Sequence, residues 1–260
     1  MGEREPNIIA VSDVHLGYRK RVRINKWDDN SESKKFGTFL QWILDEADIT
    51  DFVLLGDIMD FWRRKDRDII LENKDILSKI NSIAQKANVH YVVGNHDYYV
   101  LKLKDIYPKY YPFDVEKNIA LDGFYFIHGY QLEVFNWEPL RVNDYEKFCE
   151  RFCSCENCLG SLSTWLWKTF KKRSLKTMMK STQKRKDELD LVVELAKSDG
   201  KELFLGMPRN DKLIFGHTHR PFLTEDKLVA NTGSWVNEEP NRNTYIEIKN
   251  DNMFLRHWDR

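Results

Sequence analysis

No apolar run in the 260-residue chain approaches the ~18 residues that a membrane-spanning helix needs. The first apolar stretch, Ile8 to Val11, is also too short for a secretory leader, and Pro6 stands where an N-myristoylation signal wants Ser or Thr. The chain is therefore expected to be cytoplasmic. It has no net charge, with 41 basic and 41 acidic residues. No overall field draws it to nucleic acid or to a membrane, so any such attraction must be local. Cysteine is scarce and confined: all four, Cys149, Cys153, Cys155 and Cys158, lie in one short segment. That excludes a disulfide framework stapling a secreted domain. Repeats and low-complexity tracts are missing as well. What is present is 42% hydrophobic residues, enough for a real core.

Apolar and amphipathic segments alternate. Ile8–Ser12, Asp51–Leu55 and Val89–Val93 read as buried strands. Lys34–Ala47 and Lys74–Ala87 repeat apolar residues at helical spacing. Ala120–Ile127 reads as a hairpin turning at Asp122–Gly123. Lys212–Phe215, Leu228–Asn231, Thr244–Ile248 and Met253–His257 read as later strands. This order predicts an α/β domain whose sheet is covered on both faces. Residues 1–130 and 203–260 are expected to form this core. Residues 131–202, helical in pattern and carrying every cysteine, are expected to form an inserted cap.

Five strand ends deliver polar residues of one chemical kind. "SDVHLG" brings Asp13 and His15, "GDIMDFW" Asp57 and Asp60, and "GNHDYY" Asn95, His96 and Asp97. "HG" brings His128, and "GHTHRP" His217 and His219. In α/β sheets the carboxyl ends of strands meet at one crevice. So many buried carboxylate, amide and imidazole groups would cost several kcal/mol there without a cation to satisfy them. Using them all takes two cations. Imidazole with carboxylate suits manganese, iron, zinc, nickel or cobalt, and manganese is the ion we expect. Two ions ~3.5–4 Å apart clamp a phosphoryl group and lower the pKa of a bridging water, whose hydroxide attacks phosphorus in line. Asp57, central in the order, is the natural shared carboxylate, bridging with its two oxygens. His96, beside a ligand, can point at the substrate and protonate the leaving oxygen, with Asp97 expected to orient it. Glycines beside Asp57, Asn95, His128 and His217 let the backbone turn tightly beneath the site.

The order D-x-H, G-D-x-x-D, G-N-H-D, H-G, G-H-x-H resembles the calcineurin-like metallophosphoesterase superfamily. The resemblance implies a β-sandwich flanked by helices. It further implies one metal on Asp13, His15, Asp57 and His219, and another on Asp57, Asn95, His128 and His217. Asp60 falls outside that set, and holding a loop or supporting a ligand is the role expected of it. "GDIMDFW", "GHTHRP", the helical insertion and "TGSW" (Thr232–Trp235) resemble the UDP-2,3-diacylglucosamine hydrolase branch, although members of that branch carry Arg where this chain has His96. The branch implies hydrolysis of the pyrophosphate of a nucleotide-linked diacyl sugar, or of another lipid-linked nucleotide.

Between Leu159 and Lys186 stand nine Lys or Arg and no acid, interleaved with Trp165, Leu166, Trp167 and Phe170. This basic amphipathic pattern suits an anionic lipid surface and makes peripheral membrane contact an expectation; nucleic acid competes for the same charge and aromatics. Arg220, Lys180 and Lys184 are candidate phosphate contacts by charge and position. The four cysteines admit a structural zinc or iron–sulfur site, local disulfides or free thiols. The functional alternatives are a nuclease or a cyclic-nucleotide or general phosphodiesterase of the same superfamily, and a scaffold that kept the fold without the chemistry.

Overall fold

Alternation along the strands sets the architecture. In the computed structural model of the chain, which describes residues 6–23, 26–29, 33–62, 64–135, 141–154, 188–237 and 241–260, successive strand residues face opposite layers. Strand β1 (Asn7–Val11) sends Ile9 and Val11 to a core shared with helices, and Ile8 and Ala10 to a core between two sheets.

The further strands are β2 (Arg19–Arg23), β3 (Lys26–Asp29), β4 (Asp51–Leu55), β5 (Asn88–Val92), β6 (Asp114–Glu116), β7 (Asn118–Leu121) and β8 (Phe124–Ile127). They continue with β9 (Lys212–Phe215), β10 (Phe222–Leu223), β11 (Val229–Asn231), β12 (Thr244–Lys249) and β13 (Asn252–His257). One sheet runs β13-β12-β1-β4-β5-β6 and the other β10-β11-β9-β8-β7, while β2 and β3 form a separate ribbon. β1, β4, β5 and β6 are mutually parallel, as are β8, β9 and β11.

The two sheets stack with Ala10, Val53, Leu55 and Val92 facing Phe124, Phe126 and Ile214 in one apolar layer. Helices α1 (Ser33–Asp45) and α3 (Lys74–Ile83) cover the outer face of the larger sheet, with α2 (Asp66–Glu72) and α4 (Val100–Ile106) beside them. Phe39 there meets Trp42, Trp235, Tyr245 and Trp258, with ring centroids 5.0–5.7 Å apart. The expected β-sandwich flanked by helices is present. The two-residue β10 and the three-residue β6, in which only Val115 is buried, carry too short a pattern to be read from sequence.

The described parts of 131–202 build onto these layers. Helix α5 (Tyr130–Phe135) and α6 (Val142–Cys153) add Tyr130, Val134, Tyr145, Cys149 and Cys153 to the helix-side core. Helix α7 (Glu188–Lys197) adds Val192 and Ala196 to the outer face of the smaller sheet, next to α8 (Lys201–Leu205). Cys149 and Cys153 share a helix face as expected from their spacing. Both are buried free thiols, and Cys153 Sγ donates to the carbonyl of His96 at 3.3 Å. Among the described residues neither belongs to a group of side chains that could hold an ion, which does not support the structural metal or cluster admitted for the cysteines. Cys155, Cys158, Lys180, Lys184 and the whole basic stretch 159–186 lie outside the described residues. Among the described residues, no helix is long and apolar enough to cross a membrane.

Candidate metal centre

Each polar motif directly follows a strand, and the parallel arrangement brings the strand ends to one edge of the sandwich. Backbone bonds knit the loops: Asp13 N–H donates to Gly56 O, His15 N–H to Asp57 O, Phe61 N–H to His96 O and Gly216 N–H to His128 O, all at 2.8–3.1 Å. Five of the chain's seven histidines meet here. The loops are also strained. Asp13, His15, Asp57, His217 and His219 all have φ between 50° and 66°, a left-handed conformation that costs a non-glycine residue about 1 kcal/mol or more. Such strain concentrates where a side chain must be aimed rather than merely packed.

The donor atoms converge. His219 Nε2 lies 3.1 Å from Asp13 Oδ1 and 3.4 Å from His15 Nε2. Asp57 Oδ2 lies 3.8 Å from His15 Nε2 and 3.3 Å from His128 Nε2. Among the described residues the groups that could hold an ion are Asp13–His15–His219 and Asp57–His128–His217, with a third, His15–Asp60–His96, beside them. Asp57 Oδ1 accepts the backbone N–H of His96 at 2.8 Å, so Oδ2 alone faces both groups. That differs from the expected bridge through two separate oxygens.

Several donor atoms are oriented and then left without a hydrogen bond. Asp13 Oδ2 accepts from Ser12 Oγ and from His217 N–H, whereas Asp13 Oδ1 is buried with no hydrogen-bond partner. His128 Nδ1 lies 2.9 Å from Leu55 O, which fixes its proton there, and Nε2 is buried without a bond. Asn95 Oδ1 is buried and unpaired as well. Three buried ligand-type atoms without a hydrogen bond fit a cation, since a buried polar atom left without a partner otherwise costs about 1–3 kcal/mol.

Electrostatics agree. Burial alone would lower His128, but the Asp57 and Asp13 carboxylates outweigh it and hold the imidazole up at about 9. Burial likewise opposes ionisation of Asp13, yet His219 and His128 hold its carboxyl well below the usual range. Asp57 is depressed in the same way, against burial, chiefly by His128 and His96. A proton on His128 thus occupies the electrostatic place of a metal.

His96 sits beside the two groups. Its ring stacks on Trp62 at 4.2 Å and 21°, and its Nδ1 lies 3.0 Å from Asp60 Oδ1. Here the sequence expectation needs correcting: Asp60, not Asp97, pairs with His96. The Asp97 carboxylate instead accepts from Gly94 N–H at 2.7 Å, Ile58 N–H at 2.8 Å and Tyr91 Oη–H at 2.6 Å. It braces the loops after β4 and β5. Burial and the nearby Asp57 charge push it up to about 6. Residues one apart in a turn point in different directions, so adjacency in sequence misled.

Other contributors were not anticipated. Thr232 Oγ1 lies 2.5 Å from Ser12 Oγ, and Trp235 N–H donates to Asp13 O at 3.0 Å, so "TGSW" props the first motif. Glu133 Oε2 lies 2.6 Å from His217 Nε2. The only sequence signal for Glu133 was a lone acid in the apolar helix that follows "HG". Arg220 makes an exposed ion pair with Asp190 on α7 at 3.0 Å.

A family model for calcineurin-like phosphoesterases matches residues 6–221. Among solved structures, a dimetal phosphatase from Danio rerio is similar at a TM-score of 0.48 and 13% identity, covering 98% of this chain and 99% of that one. An archaeal phosphodiesterase is similar at 0.45 and 14%, covering 96% and 98%. A Pseudomonas putida nuclease is similar at 0.36 and 13%, covering 96% and 87%. No curated protein matches the chain significantly. With the family's motifs carried on strand ends that meet in space, the chain belongs to the calcineurin-like phosphoesterase family and is a metal-dependent phosphoester hydrolase.

Proposed function

We propose that the protein hydrolyses a phosphoric anhydride or diester at a dinuclear centre, and that its substrate is a lipid-linked nucleotide. Asp13, His15, Asp57 and His219 would hold one divalent ion, and Asp57, Asn95, His128 and His217 the other. The observation that carries this reading is the set of buried, unbonded donor atoms on Asp13, Asn95 and His128. Two bound cations neutralise a phosphoryl group and lower the pKa of bound water.

The chain's own residues supply the rest. Asp60 keeps a proton on His96 Nδ1 and so leaves Nε2 for the substrate. Trp62 holds the ring flat. Burial lowers the His96 pKa despite the Asp57 and Asp60 charges; an arriving phosphate anion offsets that burial and favours the protonated ring. His96 can then give its proton to the leaving oxygen.

The lipid-linked substrate is supported by sequence alone, through the nine basic residues and two tryptophans of 159–186. Arg220, Lys180 and Lys184 remain candidate phosphate contacts. The test is turnover of bis-p-nitrophenyl phosphate, a UDP-linked diacyl sugar and DNA by manganese-loaded protein. His128→Ala and Asp57→Asn should lose metal and activity together. Deleting 159–186 should spare the small ester and impair the lipid substrate. Preferred cleavage of DNA would assign a nuclease instead, and no turnover of any of the three would end the hydrolase reading.

A further inference from the structure

Glu133 is a buried carboxylate that the dinuclear scheme leaves unused. It stands on α5, the first helix beyond "HG", five residues after His128, and is only 6% exposed. A buried carboxylate needs a partner that repays its desolvation. Here Oε2 lies 2.6 Å from His217 Nε2, a short contact between two groups that are each about a tenth exposed or less. A carboxylate only accepts, so the imidazole proton sits on Nε2. That leaves the lone pair on Nδ1, on a residue whose donor atom already groups with Asp57 and His128. His128 is set by the same logic with a different acceptor: Leu55 O takes Nδ1–H and frees Nε2. With Nε2 turned to Glu133, Nδ1 is the nitrogen His217 has left to offer, the opposite one to that freed on His128.

We propose that Glu133 is a positioning residue for the second metal ion: it fixes the tautomer and orientation of His217, so that docking of α5 sets how tightly that ion is held. This rests on the dinuclear reading above. Carboxylates placed behind ligating histidines are worth 10–100-fold in metal affinity. Glu133 Oε2 contacts His217, a ligand of the second ion and not of the first, so the effect should fall mainly on one ion of the two.

The experiment is calorimetric titration of metal-stripped full-length protein with manganese chloride, with bound metal counted by mass spectrometry. Wild type should take up two ions. Glu133→Ala should weaken one of the two about 10–100-fold and leave the other within threefold. Glu133→Gln, which keeps an acceptor without the charge, should fall between. Activity of both variants should recover at millimolar manganese, which a folding defect would not allow. Glu146→Gln serves as control. Glu146 is another buried carboxylate, bonded to Tyr130 and Lys117, and this change should leave both affinities unchanged. Unchanged affinities in Glu133→Gln and Glu133→Ala, or equal weakening of both ions, would overturn the proposal. If Glu133→Ala does not fold, Glu133→Gln alone decides by the same criteria. Wild type binding fewer than two ions would instead overturn the dinuclear reading itself, and this proposal with it.

Discussion

A single methyl group placed at Gly94 tests whether the motif loops are packed as closely as the site requires. A Cβ built at Gly94 would sit 2.1 Å from Asp57 Oδ1, 2.5 Å from Asp57 N and 2.8 Å from Asp57 Cγ. Non-bonded contacts to Cβ stay beyond 3.0 Å, so either the Asp57 carboxylate or the loop after β5 must retreat by about 1 Å. Asp57 cannot yield cheaply. Its backbone is left-handed, with φ 53°, and Oδ1 holds the His96 N–H. Overpacking of this kind costs roughly 1–3 kcal/mol, or about 2–10 °C in melting temperature for a chain of this size. The effect on chemistry should be larger. A displacement of about 1 Å in a reacting geometry costs ~10²-fold in rate, and the displaced carboxylate is the one facing both metal groups. Gly94→Ala should therefore lose bound manganese and at least 10²-fold in turnover of bis-p-nitrophenyl phosphate, with only a modest fall in melting temperature. Gly123→Ala is the comparison. Its Cβ meets nothing within 4 Å, and its φ of 77° incurs only left-handed strain, about 1 kcal/mol. Metal content and rate there should match wild type. Gly94→Ala that keeps two ions and turns over within threefold of wild type would refute the reasoning.

Two further outcomes follow from the same geometry. Asp60→Asn, assayed at saturating manganese because Asp60 Oδ2 also lies 3.7 Å from His15 Nδ1, should slow turnover roughly 10²-fold, because His96 loses the carboxylate at its Nδ1; an unchanged rate would remove Asp60 from the mechanism. The metal-free protein should lose stability as pH rises. His128 is held at about 9 when folded, against about 6.5 unfolded. Its contribution is fully present below pH 6.5 and disappears as pH rises through 9, an order-of-magnitude 3 kcal/mol. A cation must displace that proton, so apparent manganese affinity should climb by up to tenfold per pH unit until about pH 9. Melting curves and metal titrations from pH 6 to 10 check both; flat profiles would show that His128 is neutral without metal.

What could be read from the sequence, and what could not, divides along a physical line. Apolar strands buried on both faces announce themselves. Asp51–Leu55 and Lys212–Phe215 run where the apolar residues run, and Asp122–Gly123 turns the hairpin because its left-handed φ values suit those residues. Metal-type ligands at strand ends are equally legible, because a parallel sheet sends all those ends to one edge. The direction of a side chain inside a loop is a different kind of information. Asp97 follows His96 directly, yet its carboxylate turns to Gly94, Ile58 and Tyr91. Asp60, 36 residues away, meets the ring instead. Which neighbour wins is decided by how the loops after β4 and β5 pack against each other, and that has no signature in residue spacing. Glu133 was hidden for a related reason. Its partner is chosen by how α5 lies against the smaller sheet, and the apolar pattern of that helix describes its burial without naming the ring it touches. Pairing between distant loops, rather than the inventory of ligands, is thus the part of the site that needed coordinates, and it is also the part that assigns each histidine its tautomer.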